Sequence, residues 1–179
     1  MTHLRTTVVS DSHTIFLFGT GAGSCRRLPD LIRRLLALDF TVYSVLTPNV
    51  ALVTSPEQLM DIPGNRWIRD YGQPPLDRYP FGMLLVAPCT FNTFNKLAHG
   101  IADTLATSMI ADGLGAGCPV LIAPAMNHGL WAHPQTTISH ERLRAWGCEI
   151  VGPAITADQV TLAPTDAIVE AVVRRCRHA

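Results

Sequence analysis

The sequence predicts a three-layer α/β protein in which helices cover both faces of a parallel β-sheet. Short apolar runs alternate along the chain with longer segments that carry apolar residues at helical spacing. Two of these runs, residues 83–87 and 119–123, end in Ala-Pro and lead into loops rich in small polar residues. Short apolar runs that end at proline are typical of buried parallel strands, and the helices between them imply right-handed crossovers.

Each element follows from the same alternation of short apolar runs and helical periods. The expected strands are residues 14–18, 40–46, 83–87, 119–123 and 148–151. The expected helices are residues 25–38, 50–59, 93–111 (or 95–111), 135–146 and 165–176. Residues 60–82, rich in proline and glycine, predict one long loop, and residues 152–164 a second. We expect a single domain over residues 1–179, with residues 1–12 as a disordered tail.

Composition and charge exclude several classes of function. The formal net charge of zero offers no electrostatic support for a nucleic-acid or membrane-surface partner. With 47% hydrophobic and 16% charged residues, the chain is expected to bury surface in an oligomer. The five cysteines form no CxxC pair, which predicts no metal site and a reduced, cytoplasmic protein. No apolar run approaches the roughly 20 residues of a membrane span.

A glycine-rich turn, Gly19–Ser24 (GTGAGS), follows the first predicted strand. Such a turn brings backbone N–H groups and a helix start onto a phosphate, although an ordinary strand–helix turn explains it as well. The glycine spacing is not GxGxxG, and Thr47 rather than an acidic residue ends the second strand, so NAD is disfavoured. No lysine follows the glycines, so the Walker pattern is absent.

Polar side chains follow the third and fourth predicted strands, where open α/β sheets bind ligands. They are almost uncharged, which indicates a pocket for a neutral polar ring system. Asn92 and Thr93 are equally well explained as helix caps, whereas Asn127 has no obvious capping role. His128 is as compatible with a loop residue as with an acid–base group, and Thr107 and Ser108 face either a ligand or another helix.

Two motifs in this region carry a resemblance to a known family. PCTFNTFNKLAHGIADTL resembles the PASANT-type motif of the flavin-containing cysteine decarboxylases, and PAMNHGLW resembles their PxMNxxMW motif. The family includes phosphopantothenoylcysteine decarboxylase, peptidyl-cysteine decarboxylases and related flavin prenyltransferases. The resemblance covers about residues 13–175 and implies a flavodoxin-like, Rossmann-like sheet that binds FMN and assembles as a homotrimer or dodecamer.

The resemblance also implies roles for individual residues. Asn127 would bind the substrate carboxylate, with Met126 beside the flavin ring and Asn92 near the substrate. The residues expected to hold FMN, beginning with three at its phosphate, are Gly19, Thr20, Gly21, Thr47, Pro88, Thr90, Asn92, Thr93, Thr107 and Ser108.

The sequence departs from the family at two places. The family's catalytic histidine would fall near Pro74, and no histidine occurs between His13 and His99, so the catalytic candidates are Asn127 with Asp70, Asp77 and His128. Residues 152–164 match the family's substrate clamp but lack the cysteine with which phosphopantothenoylcysteine decarboxylases return hydrogens to the product.

These departures favour one reaction within the family. We expect FMN-dependent oxidative decarboxylation of the C-terminal cysteine of a ribosomal precursor peptide, giving an aminoenethiol. The alternatives are phosphopantothenoylcysteine decarboxylase, and a flavin prenyltransferase or non-catalytic FMN-binding protein.

Overall fold

The computed structural model describes residues 13–157 and 159–177, so the predicted tail, 1–12, lies outside the described residues. The strands are β1 (Thr14–Gly19), β2 (Thr41–Leu46), β3 (Arg66–Ile68), β4 (Met83–Cys89), β5 (Val120–Pro124), β6 (Glu149–Ile150), β7 (Ala154–Ile155) and β8 (Val160–Thr161). The helices are α1 (Leu28–Leu36), α2 (Pro56–Met60), α3 (Phe91–Ala98), α4 (Leu105–Ala116), α5 (His128–Trp131), α6 (Pro134–Ala145) and α7 (Thr165–Cys176).

Six of the strands form one parallel sheet in the order β3-β2-β1-β4-β5-β6. Without the short edge strand β3, this is the flavodoxin-like order, which confirms the predicted three-layer fold. The chain order reverses between β1 and β4, and parallel α/β sheets bind ligands outside the carboxyl ends of the strands at such a point. A ligand site is therefore expected at the loops after β1 and β4.

The core lies on both faces of the sheet. Along β1, Ile15 and Leu17 join the cluster that contains α1 and α7, while Phe16 and Phe18 join the cluster that contains α3 and α4. All four side chains are at most 1% exposed. A strand buried on both faces must be apolar throughout, which is why it appears in the sequence as a continuous run and not as an alternating one.

The single helix predicted over residues 93–111 is wrong, because two helices, α3 and α4, occupy this region. Gly100 adopts a positive φ of 68°, a conformation that a helix does not continue through. Thr104 then restarts the helix with a capping box, in which Thr104 and Thr107 each bond the other's backbone N–H. The break spans only the six residues 99–104, and the two helices still lie on the same face of the sheet.

Four other segments also differ from the prediction. The helix expected over 50–59 is a 3₁₀ turn, Pro48–Leu52, followed by α2, and α1 is preceded by a 3₁₀ turn, Gly23–Arg27. The loop expected over 60–82 contains β3, which pairs with β2 at the sheet edge. The loop expected over 152–164 contains an antiparallel hairpin, β7–β8. Within the described ranges, no helix is both long and apolar enough to span a bilayer.

Candidate functional site

A cleft of about 1100 Å³ opens at the carboxyl ends of the central strands. It is bounded by the glycine turn after β1, the loop after β2, the starts of α3 and α4, the loop after β5 and the hairpin β7–β8. The predicted site residues that line it are Gly21, Thr47, Thr90, Asn92, Thr93, Thr107, Met126, Asn127 and His128. The structure thus brings together residues that are up to 107 positions apart in the chain, as Gly21 and His128 are.

The glycine turn is shaped by close backbone packing. A Cβ at Gly21 would lie 2.6 Å from the carbonyl oxygen of Asn49, so only glycine lets the loop after β1 touch the loop after β2. A Cβ at Gly19 would lie 2.7 Å from side-chain atoms of both Leu28 and Leu46. Gly19 therefore serves the packing beneath the cleft, whereas Gly21 lines the cleft itself.

Thr20 joins the loop after β1 to the loop after β4. Its hydroxyl donates to the carbonyl oxygen of Pro88 at 2.7 Å and accepts from the backbone N–H of Thr90 at 2.9 Å. Its own N–H also donates to the Pro88 carbonyl, at 3.2 Å. Thr20 is 1% exposed, and neither Thr20 nor Pro88 lines the cleft. Both residues set the distance between the two loops that do.

The start of α3 forms the next wall of the cleft. Thr90 is the N-cap, and its hydroxyl accepts from the backbone N–H of Thr93 at 3.4 Å. Asn92 and Thr93 lie inside the helix, so the suggestion that they cap it is wrong. Thr93 is buried beneath the wall, and the side chain of Asn92 is exposed at the cleft. The exposed amide of Asn92 is thus available to a ligand.

The start of α4 carries a second group of polar residues facing the cleft. The Thr107 hydroxyl accepts from the N–H of Thr104 at 2.9 Å and contacts Asp103 at 3.4 Å. Lys96 of α3 forms an ion pair with Asp103 at 2.5 Å, and this hydrogen bond is the main reason that the pKa of the Asp103 carboxyl is lowered. Since Lys96 is the only lysine of the chain, the single ammonium group at the cleft is already neutralised.

The loop after β5 contributes Met126, Asn127 and His128. Met126 is 7% exposed, whereas Asn127 and His128 are exposed at the cleft. Asn127 occupies the N-cap position of α5, yet its side chain makes no capping bond and no other hydrogen bond within the described part of the chain. The Nε2 of His128 lies 3.2 Å from the carbonyl oxygen of Thr156 in the hairpin.

Besides Gly19, Thr20 and Pro88, three further predicted site residues do not line the cleft. Ser108 donates to the carbonyl oxygen of Ala102, 3.2 Å away, in the break between α3 and α4. Asp70 and Asp77 are exposed on the segment after β3, and the Asp70 carboxylate accepts from the backbone N–H of Tyr71 at 2.7 Å. Neither carboxylate lines the cleft within this chain. Of the predicted acid–base groups, only His128 does.

Several cleft residues were not singled out individually from the sequence, although the turn over residues 19–24 and the segment 152–164 were both expected at the site. They are Ala22, Gly23, Ser24, Pro48, Asn49, Phe91, Lys96, Asp103, Thr104, Ala125, Gly129, Leu130, Gln159, Val160 and Thr161. A signal existed for Lys96, because it follows Asn92 by four residues and side chains at that spacing share one face of a helix. The T-x-x-T spacing of Thr104 and Thr107 was the corresponding signal for the second helix start.

Cys89 lies at the end of β4 and is fully buried behind the cleft. Burial raises the pKa of its thiol far above the ordinary value, with no neighbouring charge to offset the effect. The thiol therefore stays protonated at neutral pH and packs as a small apolar side chain. A nucleophilic role for Cys89 is incompatible with this environment.

The parallel sheet, the glycine turn and the neutral cleft at the switch point define a nucleotide-cofactor-binding protein of the flavodoxin-like type. The chain belongs to the Flavoprotein family, whose model matches residues 4–177. This match confirms the resemblance that the two motifs predict, and it confirms a flavin as the class of cofactor.

Curated relatives match shorter parts of the chain. The chain is 34% identical over 93 residues to the coenzyme A biosynthesis bifunctional protein CoaBC of Thermococcus kodakarensis, covering 52% of this chain and 23% of that protein. It is 42% identical over 65 residues to phosphopantothenoylcysteine decarboxylase of Mus musculus, covering 36% and 31%. The matched segments therefore span less than a third of either relative.

Solved structures match nearly the whole chain. The FMN binding protein AtHal3 superposes with a TM-score of 0.79 at 20% identity, over 94% of this chain and 98% of that one. The peptidyl-cysteine decarboxylase EpiD gives 0.76 at 20% identity, over 89% and 98%. The FMN-dependent cysteine decarboxylase TvaF from thioviridamide biosynthesis gives 0.74 at 23%, over 92% and 98%. At these identities the likeness establishes the shared fold.

Proposed function

We propose that the protein is an FMN-dependent oxidative decarboxylase that acts on the C-terminal cysteine of a ribosomal precursor peptide and yields an aminoenethiol. One observation carries the proposal: the exposed, unbonded amide of Asn127 faces the same cleft as the glycine turn. A C-terminal carboxylate held by this amide would lie in the cleft that receives the flavin. The family and the motifs around Pro88 and Asn127 support the same reaction.

The cleft fits FMN. Its volume of about 1100 Å³ lies just above the range of roughly 300–1,000 Å³ that small-molecule sites occupy, so the cleft has room for FMN. The 3₁₀ turn begins at Gly23, so the N–H groups of Gly23 and Ser24 have no partner within it and can donate to a phosphate. Gly21 leaves room for that approach by packing its backbone against Asn49. We propose that this turn holds the FMN phosphate, with Thr47 and Asn92 along the remainder of the cofactor.

The bound flavin supplies a two-electron oxidation of the substrate's cysteine, which thereby loses two hydrogens. The resulting thioaldehyde has its C=S carbon β to the carboxylate, so it can accept the electron pair released when the C–C bond breaks and CO₂ leaves. Asn127 orients the carboxylate through a neutral amide, which does not stabilise the anion so strongly that loss of CO₂ is hindered. The buried side chains of Ala125 and Met126 provide an apolar floor beside it.

The hairpin favours a peptide substrate over phosphopantothenoylcysteine. Residues 152–164 contain no cysteine, so this segment has no thiol to return hydrogens to the product. The one ammonium group at the cleft, Lys96, is paired with Asp103 and is not free for a second phosphate. Phosphopantothenoylcysteine remains the second candidate substrate, because the curated relatives include a coenzyme A biosynthesis protein and a phosphopantothenoylcysteine decarboxylase.

We further propose a homotrimer or dodecamer in which a neighbouring subunit completes the site. Large apolar side chains stand exposed on the isolated chain, with Leu52 at 85%, Tyr71 at 62% and Ile155 at 57%. Tyr71 belongs to the same segment as Asp70 and Asp77, so an interface there would bring these carboxylates towards another subunit. Light scattering of the FMN-loaded protein tests this assembly, and a monodisperse monomer would refute it.

The direct test is mass spectrometry of substrates incubated with the FMN-loaded protein in air. A peptide ending in cysteine should become lighter by CO₂ and two hydrogens, while the same peptide ending in serine should stay unchanged. Turnover of phosphopantothenoylcysteine alone would replace the proposal with the second candidate. A protein that takes up FMN and changes neither substrate would support a prenyltransferase or a non-catalytic flavoprotein.

A further inference from the structure

The hairpin β7–β8 has few connections to the rest of the protein. Its two strands pair with each other and not with the central sheet. A two-stranded hairpin is marginally stable by itself, so its position depends on its tethers. At its two roots, Val151 donates to the carbonyl oxygen of Ile122 at 2.9 Å, and Arg27 donates to that of Leu162, also at 2.9 Å.

A third tether lies further along the hairpin, on the cleft side. The ring of His128 lies 3.2 Å from the carbonyl oxygen of Thr156. A carbonyl oxygen can only accept, so the bond requires the proton on Nε2. Thr156 is also where the hairpin is bonded to itself, since its N–H donates to the carbonyl oxygen of Gln159 at 2.8 Å and its hydroxyl accepts from the Gln159 N–H at 3.1 Å.

The tether therefore acts on the residues that form the cleft wall. Gln159, Val160 and Thr161 line the cleft directly after the point at which His128 holds the hairpin. On the other side, His128 follows Asn127, the residue proposed to hold the substrate carboxylate. One side chain thus joins the carboxylate-binding loop to the wall that faces it.

We propose that His128 is a positioning residue that holds the hairpin over the cleft and sets the separation between Asn127 and the wall formed by residues 159–161. The effect on substrate binding rests on the proposed function, whereas the effect on the hairpin does not. The assignment differs from a catalytic one, because His128 acts through the Thr156 carbonyl and not on the reacting atoms.

The test compares His128→Ala, His128→Gln and the control His99→Ala in the FMN-loaded protein. His99 is exposed and contacts the carbonyl oxygen of Asn95 within its own helix, away from the cleft. Without any substrate, amide hydrogen exchange of residues 154–157 and 159–161 should quicken about fivefold in His128→Ala, the factor that the loss of one hydrogen bond gives. His128→Gln, whose amide can donate to the same carbonyl, should restore slow exchange, and His99→Ala should leave it unchanged.

Kinetics with a peptide ending in cysteine provide the second readout. His128→Ala should raise KM about fivefold while kcat changes less than twofold, and His128→Gln should recover most of KM. Unchanged exchange in His128→Ala would overturn the tether. A collapse of kcat that His128→Gln does not restore would overturn the positioning role in favour of a catalytic one. If the wild type converts no peptide, the proposed function fails, and the exchange experiment still decides the tether.

Discussion

The two walls of the cleft differ in how firmly hydrogen bonds within the chain hold their segments together, and each wall leaves an amide, Asn92 or Asn127, open to a ligand. On the first wall, formed by the loops after β1, β2 and β4 and the starts of α3 and α4, Thr20, Thr90 and Thr107 all bond to neighbouring backbone. On the second wall, formed by the loop after β5 and the hairpin, the amide of Asn127 has no partner in the described residues. The segments of the first wall are therefore held in place before a ligand binds, whereas the Asn127 amide of the second wall gains its hydrogen-bond partner only from a ligand.

From this difference we propose that the two walls hold two different ligands. A cofactor that stays bound through many turnovers benefits from a fixed site, because the chain has already ordered the groups that hold it. A substrate must enter and leave, so the wall that meets it carries fewer internal bonds. We therefore place FMN on the first wall and the cysteine carboxylate on the second, and each of the following predictions separates the two walls.

The largest expected effect comes from Gly21→Val on the first wall. Its new side chain would meet the Asn49 backbone, where a Cβ alone comes within 2.6 Å, and force apart the loops after β1 and β2. We expect at least about 100-fold weaker FMN binding in a fluorescence titration, since two wall segments move. Gly129→Ala, also at the cleft but with open space around its Cβ, should bind FMN as the wild type does. Normal FMN affinity in Gly21→Val would remove the glycine turn from the cofactor site.

On the second wall, Asn127→Ala should lower kcat/KM about 100-fold, the scale found when one oriented polar contact at a reacting centre is removed. FMN affinity should not change, because we propose that the Asn127 amide binds the substrate and not the cofactor. Asn127→Asp should be impaired further, because a second carboxylate would repel that of the substrate. Steady-state kinetics and FMN titration of the same variants separate these outcomes. If Asn127→Ala loses FMN affinity as strongly as it loses turnover, the assignment of cofactor and substrate to separate walls is wrong.

The sequence alone predicted the central strands, α7 and the two polar loops, because buried runs and proline-ended strands depend on local pattern. It missed β3 and the hairpin, whose strands of two or three residues are defined by their partners. The resemblance placed Thr20 near the phosphate, and nothing in the sequence indicated that its hydroxyl also joins two loops. Hydrogen bonds between residues about 70 positions apart, as between Thr20 and Thr90, leave no periodic signal. Lys96 and Asp103 are seven positions apart and were also not recognised, although the spacing of Lys96 from Asn92 offered a signal.

A smaller effect is expected from Thr20→Val, which keeps the shape of the side chain and removes its hydroxyl. The Thr90 N–H and one acceptor position on Pro88 lose their partner, which should lower the free energy of unfolding by about 1–3 kcal/mol. Urea denaturation of the FMN-free protein measures this directly. Thr137→Val, at an exposed position of α6, should stay within about 0.5 kcal/mol of the wild type. If the two variants are equally stable, the first wall is not held by Thr20.

The smallest effect concerns the buried cysteines, of which Cys89 lies at the end of β4 behind the cleft. Burial raises the pKa of the thiols of Cys118 and Cys148 to about 11, and that of Cys89 further still. Alkylation followed by mass spectrometry at pH 8 should therefore leave Cys89 unmodified in the folded protein and modify it in urea. Rapid modification of Cys89 in the native state would show that the first wall opens readily. That result would contradict the claim that this wall is held in place before a ligand binds.

The central claim is that the flavin oxidises a cysteine whose carboxylate is held by the second wall. The most direct test is to mix the FMN-loaded protein anaerobically with a peptide ending in cysteine. Because residues 152–164 hold no thiol to return hydrogens, the flavin absorbance should bleach with one CO₂ released per FMN, and turnover should stop until oxygen is admitted. Repeated release of CO₂ without oxygen, with the flavin remaining oxidised, would contradict it.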